Sequence, residues 1–298
     1  MPSILHVSDI HFGPPFLPDR AAAVRELADL TKPDVLVASG DFTQRAKRPQ
    51  FEAAAEYLRS FGLPIVVTPG NHDVPLYRVW ERILSPHALY REQIRDALNE
   101  VYRFEGLTVV ALDSTRPSRP TNGKLRRGQL EFARRAFADA PDSDLRVVVT
   151  HHHLAPPPDF EHDRVMSGAR RALRVFTDIG VDLVLAGHLH RAYIGDSLDF
   201  FPGERRETGI VIVQCGTTTS SRGRGRERLK NSLNWIEADR ERILVRHYLW
   251  CDVERRFRPH SEHRFGSRDS AWLEWGDDAE TAGGEANEAK ILSSRDRS

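Results

Sequence analysis

The sequence predicts an α/β protein with buried sheets, and three observations carry that expectation. Short, β-branched apolar runs recur along the chain; amphipathic stretches of helical length lie between them; and polar clusters rich in Gly, Asp and His follow directly on several of the runs. The strand-like runs are residues 4–8, 35–39, 65–68, 107–112, 146–150, 181–186 and 210–214. Residues 19–30, 50–61, 129–138 and 169–179 carry apolar side chains three or four apart, as in Leu130, Phe132, Ala133, Ala136 and Phe137, which places them on one helical face. Strand, helix, strand repeated in this order reads as α/β. Residues 75–106 place Trp80, Ile83, Leu84, Leu89, Ile94 and Leu98 on a helical spacing, so this region is expected to be helical and to cover one edge of a cleft. After residue 210 the helices stop. The runs 210–214, 232–237 and 243–248 follow one another as strands, and a mainly antiparallel sheet is expected there. Residues 266–298 hold eight acids and four bases among Gly, Ala and Ser, too little apolar surface to offset the entropy of ordering. The expected organisation is therefore one domain over 1–265 and a disordered acidic tail over 266–298.

The bulk properties exclude several classes. A length of 298 residues suits one large core, and 43 basic against 43 acidic residues argue against a nucleic-acid partner. Two cysteines, Cys215 and Cys251, cannot build a disulfide framework. No apolar run approaches the length that crosses a bilayer, so no membrane association is expected. Ile4-Leu5-His6-Val7 follows no basic or apolar leader, and cytoplasm is the expected compartment.

Five short patterns sit just after strand runs: Asp9-Ile10-His11, Gly40-Asp41, Gly70-Asn71-His72-Asp73, His151-His152-His153 and Gly187-His188-Leu189-His190. In open α/β sheets, ligands gather at the carboxyl ends of strands, so these side chains are expected to share one crevice. In extended chain, residues i and i+2 share a face, so Asp9 with His11, and His188 with His190, could each offer two metal ligands on one side. Carboxylate, imidazole and amide oxygen together suit Mn, Fe, Zn or Ni, and the absence of cysteine argues against a closed structural zinc site. Two divalent ions against Asp9 and Asp41 leave a formal charge of about +2, which attracts phosphate and generates hydroxide from a bridging water at neutral pH. His72 is the best candidate for the acid that protonates the leaving oxygen. Singly each pattern is weak; their joint occurrence in this order is not.

The five patterns together resemble the calcineurin-like metallophosphoesterase family, over roughly residues 1–250. The resemblance implies a four-layer α/β sandwich of two sheets flanked by helices, with a two-metal site at the strand ends. It implies that Asp9, His11 and His190 hold one ion, that Asn71, His151 and His188 hold the other, and that Asp41 bridges them. His72 would be the catalytic histidine, positioned by Asp73, with Asn71 and His72 also facing the substrate. The segment from Val147 to Pro156 is similar to the class III cyclic-nucleotide phosphodiesterase branch, which implies a small phosphodiester substrate such as a cyclic nucleotide. In that branch the first histidine after the strand is the ligand, here His151; a register shift to His152 is the alternative, and otherwise His152 lies behind the ligands or beside the substrate. A phosphomonoesterase, a nuclease and a metal-binding scaffold without activity are the competing readings. The basic stretch 222–230, with five bases and one acid, reads as a solvated loop, or else as a loop that contacts substrate phosphate.

Overall fold

Uninterrupted apolar runs such as Val35-Leu36-Val37 put apolar side chains on both faces of a strand, and both faces are covered. The computed structural model describes residues 1–119, 121–156, 165–199, 209–224 and 230–266. In chain order the elements are β1 (Ser3–Val7), α1 (Pro18–Thr31), β2 (Val35–Ala38), α2 (Arg48–Arg59), β3 (Ile65–Val67), a 3-10 turn (Asn71–Asp73), α3 (Val79–Leu84), α4 (Ala88–Gln93), β4 (Asn99–Phe104) and β5 (Leu107–Leu112). They continue with α5 (Arg127–Ala138), β6 (Leu145–Val149), α6 (Ala169–Asp178), β7 (Leu183–Ala186), β8 (Tyr193–Asp196), β9 (Val211–Gln214), β10 (Ser232–Ala238), β11 (Arg242–Cys251) and β12 (Arg256–Gly266). One six-stranded sheet has the order β12-β11-β10-β1-β2-β3 and the other β4-β5-β6-β7-β9-β8. Each is mixed: β1-β2-β3 and β5-β6-β7-β9 are parallel, and the remaining pairs are antiparallel.

Three apolar layers hold the sheets and helices together. Ile4, Val35, Val37 and Val66 meet Leu107, Val109, Val147, Leu183 and Val213 between the two sheets. Their neighbours Leu5, Leu36 and Val67 share a core with Ala23 and Val24 of α1 and with Phe51 and Leu58 of α2. On the other side Val110, Val148, Val184 and Ile212 pack with Leu130 and Phe137 of α5 and Leu173 and Phe176 of α6. The order helix, sheet, sheet, helix is the four-layer sandwich. α1 opens on Pro18, whose fixed φ suits the first helical turn, and ends at Lys32 in the left-handed region with φ 48°. α5 is capped by Gln129, whose side-chain oxygen accepts the Arg126 N–H at 2.9 Å.

Two expectations need correction. Strand β9 belongs to the second sheet, parallel to β7, and not to the antiparallel array formed by β10, β11 and β12; all four of its residues are buried, as a central strand requires. The region 75–106 is two short helices followed by the edge strand β4, not a helical run. Leu89, Ile94 and Leu98 pack on the core, whereas Trp80 and Leu84 are each 77% exposed. Leu76 and Arg82 of this region line a small cavity with Asn71 and Thr115. The disordered acidic tail expected over 266–298 falls, from residue 267 on, outside the described residues. Among the described residues no helix is long and apolar enough to cross a membrane. Cys215 is buried, with its sulfur 3.7 Å from the His6 carbonyl oxygen, as a small side chain at a strand end should be.

Candidate functional site

Parallel strands from both sheets bring their carboxyl ends to one seam, and the five patterns begin there. Backbone ladders continue past the strands: Asp9 N–H donates to Gly40 O at 3.1 Å, His11 N–H to Asp41 O at 2.9 Å, and Gly187 N–H to His151 O at 3.0 Å. The sheets are also tied across the seam. His188 N–H donates to Asp9 Oδ2 at 2.9 Å, and His151 Nδ1–H donates to the Ser39 carbonyl at 2.8 Å.

Side chains gather there in two adjoining groups. In one, His11 Nε2 lies 3.1 Å from His190 Nε2, and Asp9 Oδ1 lies 3.7 Å from His11 Nε2 and 3.2 Å from His190 Nε2. In the other, Asn71 Oδ1 lies 2.8 Å from His188 Nδ1 and 3.2 Å from His151 Nε2, and the two imidazole nitrogens are 3.3 Å apart. Asp41 faces both groups, with Oδ2 3.7 Å from His11 Nε2 and Oδ1 3.4 Å from His151 Nε2. All seven candidate ligands therefore converge, and the carboxylate of Asp41 stands between the groups.

The convergence does not come from an extended chain, as the i, i+2 spacing suggested. Asp9, His11, Asp41, His188 and His190 have φ of 53°, 54°, 54°, 78° and 56°, all in the left-handed region. That conformation costs roughly 1–2 kcal/mol per residue, and five such residues in one site mark stored strain held by the surrounding fold. His188 and His190 fall into different groups, whereas Asp9 and His11, with similar φ, share one.

The donor set fits divalent cations. Asp9 Oδ1 and Asp41 Oδ2 are buried anionic oxygens with no hydrogen-bond partner, whereas Asp9 Oδ2 accepts both Ser8 Oγ–H at 2.7 Å and the His188 amide. An unpaired buried carboxylate oxygen is costly, and a cation removes that cost. The imidazoles are set to offer lone pairs: His190 Nδ1–H donates to the Arg222 carbonyl at 2.9 Å, and His151 Nδ1–H to Ser39, which leaves each Nε2 facing the group. Asp9, His11, Asp41 and His190 bring one ligand atom apiece within 4.8 Å of one another.

The electrostatics of the metal-free chain follow from this crowding. Burial alone would raise the Asp9 carboxyl, but His190, His11 and His151 hold it well below the ordinary carboxylate range. Asp41 is held low in the same way, against burial, by His151, His72 and His11. Burial would lower His151, yet Asp41 beside it raises that imidazole to about 9. A group raised from its ordinary value of 6.5 stabilises the metal-free fold fully below that value, and the contribution is lost as pH rises through about 9. A cation in this group must displace the His151 proton. Divalent-ion binding at pH 7.5 should accordingly release a proton per chain, and affinity should rise by up to about tenfold per pH unit below pH 9. Calorimetry in two buffers of different ionisation enthalpy measures the proton; pH-independent affinity with none released contradicts it.

Glycine placement follows from close approach. A Cβ on Gly70 would run into Oδ1 and the backbone nitrogen of Asp41, and one on Gly187 would collide with Ser8 Oγ. Gly70→Ala should weaken divalent-ion affinity about 10- to 100-fold by tilting the Asp41 carboxylate, as losses of supporting contacts around metal ligands do. A titration with Mn²⁺ that matched the unaltered protein would refute this.

His72 lies beside the groups and joins neither. Its backbone N–H donates to Asp41 Oδ1 at 2.8 Å, its Nδ1–H donates to the Gln44 carbonyl at 3.0 Å, and its ring meets His11 edge-on at 4.9 Å. Burial lowers its pKa, with Asp41 and the Gln44 carbonyl opposing. The His72 ring is thus held through Gln44 and not by a side-chain contact with Asp73. Asp73 closes the 3-10 turn and points back at the backbone, accepting Gly70 N–H at 2.9 Å, Phe42 N–H at 3.2 Å and Thr43 N–H at 2.9 Å. Burial and Asp41 push its carboxyl up to about 7, against those donors. His152 is not in the ligand register and does not line the open side. It is 2% exposed, hydrogen-bonded through Nδ1 to Ser114 Oγ at 2.9 Å, with its ring tilted over His188 at 4.5 Å. Sequence reasoning missed Gln44 altogether and named Arg222 only as the start of a basic run. Arg222 Nη1 donates to Gln44 Oε1 at 2.9 Å and lies 3.3 Å from His72 Nε2.

The chain is similar to several known proteins. The family profile for calcineurin-like phosphoesterases matches residues 2–192. A probable cyclic nucleotide phosphodiesterase of Synechococcus sp. is 30% identical over 190 residues, covering 62% of this chain and 69% of the relative. The 3',5'-cyclic adenosine monophosphate phosphodiesterase CpdA of Escherichia coli K12 is 29% identical over 163 residues, 53% of this chain and 54% of CpdA, so the match spans about half of that relative. Among solved structures, a purple acid phosphatase from yellow lupin has a TM-score of 0.69 at 12% identity, over 89% of this chain and 54% of that one. A dimetal phosphatase from Danio rerio has a TM-score of 0.62 at 10% identity, over 89% and 98%. At these identities the structural likeness establishes the fold alone.

Proposed function

Because the chain belongs to the calcineurin-like phosphoesterase family and is by that class a metal-dependent phosphoester hydrolase, we propose that it cleaves phosphodiesters, with a 3',5'-cyclic nucleotide as substrate. In this reading Asp9, His11 and His190 hold one divalent ion, Asn71, His151 and His188 the other, and Asp41 serves both. The observation that carries it is the shared carboxylate: one buried, hydrogen-bond-poor Asp41 between two donor groups built from both sheets. Divalent ions bound there would polarise phosphoryl oxygens and acidify water.

The protein's own groups supply the rest. The Gln44 carbonyl accepts from Nδ1–H, so Nε2 is the atom that gains and gives a proton, and His72, once protonated there, delivers that proton to the departing oxygen. Asp73 keeps the turn that carries Asn71 and His72 in register with Gly70, Phe42 and Thr43. The cyclic-nucleotide preference draws on the relatives named as phosphodiesterases, while the positive excess of a two-ion site would attract any phosphoester anion. A cytoplasmic setting belongs to the same reading.

Protein reconstituted separately with Mn, Fe, Zn or Ni tests it against bis-p-nitrophenyl phosphate, p-nitrophenyl phosphate and cyclic AMP. Higher kcat/KM for the two diesters than for the monoester is expected. Preference for the monoester would replace the diesterase with a phosphatase, and turnover of the artificial diester without cyclic AMP would remove the cyclic nucleotide.

A further inference from the structure

The segment that carries Arg222 is sewn onto the segment that carries Asp9 and His11. Thr217 Oγ1–H donates to the Asp9 carbonyl at 2.8 Å and Thr219 Oγ1–H to the Ile10 carbonyl at 3.0 Å. Ser221 N–H donates to Pro15 O at 2.8 Å, and Asn231 Nδ2–H to Ser220 O at 2.8 Å. Arg222 thus leaves a fixed backbone, not a solvated loop, and its own carbonyl orients His190.

Its side chain has unusual company. The half-buried guanidinium donates to a neutral amide oxygen, Gln44 Oε1, and faces a neutral acceptor, His72 Nε2, and among the described residues it has no ion pair with a carboxylate. Asp9 and Asp41, the acids whose charge it feels, are the ones two cations would occupy. A partly desolvated cation beside a site of net positive charge is unfavourable until an anion reaches both. Arginine's planar fork suits the oxygens of a phosphoryl group.

Resting on the phosphoesterase reading above, we propose that Arg222 is a substrate-binding residue whose guanidinium takes a non-bridging phosphoryl oxygen on the His72 side of the site. On substrate entry the anion takes over donors that now serve Gln44 and His72, and His72 Nε2, its lone pair released to take up a proton from solvent, is left facing the departing oxygen. The main chain and side chain of this residue then have separate tasks, one toward His190 and one toward substrate. Substitution separates them, because every residue type keeps the carbonyl.

The experiment uses the full chain loaded with Mn²⁺, as Arg222→Ala and Arg222→Lys. Metal content by mass spectrometry should stay at the unaltered level. The affinity for inorganic phosphate, measured by calorimetry, should fall about 10- to 100-fold in the alanine variant, the range for losing a charge-assisted hydrogen bond, and KM for bis-p-nitrophenyl phosphate should rise similarly. The lysine variant should fall between the two, and added guanidinium should restore part of the alanine variant's phosphate affinity. Unchanged phosphate affinity and KM would overturn the proposal. So would loss of metal in both variants, which would make Arg222 a structural residue. If the unaltered protein turns over none of the three esters, the functional reading falls separately, while the phosphate titration still decides Arg222.

Discussion

Asp41→Asn is expected to leave at most one divalent ion per chain and to lower turnover of a phosphodiester by at least on the order of 10³-fold, because a carboxylate shared by two dications is worth several kcal/mol to each at an effective dielectric near 20. The substitution keeps the shape of the side chain and removes only charge. Asp41 is 1% exposed, so no other solvent or side-chain anion can take its place, and its Oδ2 has no hydrogen bond to lose. An amide there turns either a second carbonyl or two N–H groups toward imidazole lone pairs, and neither neutralises a cation. The metal-free protein offers a second readout. Asp41 is what raises His151 to about 9 against burial, so in the variant that imidazole should titrate well below its value in the unaltered chain. Metal analysis after desalting, a hydrolysis assay and NMR titration of His151 together test the point. Two retained ions with turnover within tenfold of the unaltered protein would refute it.

The seven candidate ligands were legible in the sequence because each follows an apolar run, and parallel strands end side by side. Their grouping was legible only through the family resemblance. Strand spacing assigned His188 and His190 to one face; the left-handed φ of 78° and 56° at these residues leaves no mark in composition, since His and Asp are ordinary residues in any loop. Gln44 and Arg222 were illegible for a different reason. Their contacts with His72 join residues 28 and 150 positions away in sequence, and nothing local distinguishes a functional glutamine or arginine from a surface one. How Asp73 could act on His72 was not legible, because the 3-10 turn directs its carboxylate at backbone amides and not at the neighbouring ring.

In the fold, central strands were read well and edges poorly. β5 and β6 are covered on both faces and are apolar almost throughout. By contrast, β4 is half-exposed along its length, and its Val101 and Phe104 fall in a region whose preceding apolar residues have helical spacing. β12 runs Arg-Phe-Arg-Pro-His-Ser-Glu-His-Arg-Phe-Gly, with a proline and alternating charge, the composition of a protected edge and one easily taken for loop. The shift of β9 into the second sheet could not be seen because residues 211–214 pair with a strand nearly thirty positions earlier while the next strand, β10, pairs with β1.

His72→Ala is expected to retain both ions and to lose about 10²- to 10⁴-fold in turnover of cyclic AMP, the range of a positioned acid. The ring belongs to neither donor group, and the contact that supports Asp41 is made by the His72 backbone N–H, which alanine keeps. Metal content should therefore survive a change that stops the chemistry, the reverse of the Asp41→Asn outcome. The size of the loss should depend on the leaving group. The ribose oxygen of a cyclic nucleotide departs poorly as an alkoxide and needs a proton, whereas p-nitrophenolate departs without one, so bis-p-nitrophenyl phosphate should be far less affected. The pH profile carries a sign as well: an acid works only while protonated, so the unaltered protein should lose activity as pH rises through the His72 pKa, and the variant should lack that limb. Burial draws that pKa down, while Asp41 and the Gln44 carbonyl, which accepts from Nδ1–H in either state, pull against it. Equal losses on both esters would mean that His72 orients the phosphoryl group and moves no proton. An alanine variant as active as the unaltered protein on cyclic AMP would leave Arg222 and the ions to carry the reaction between them.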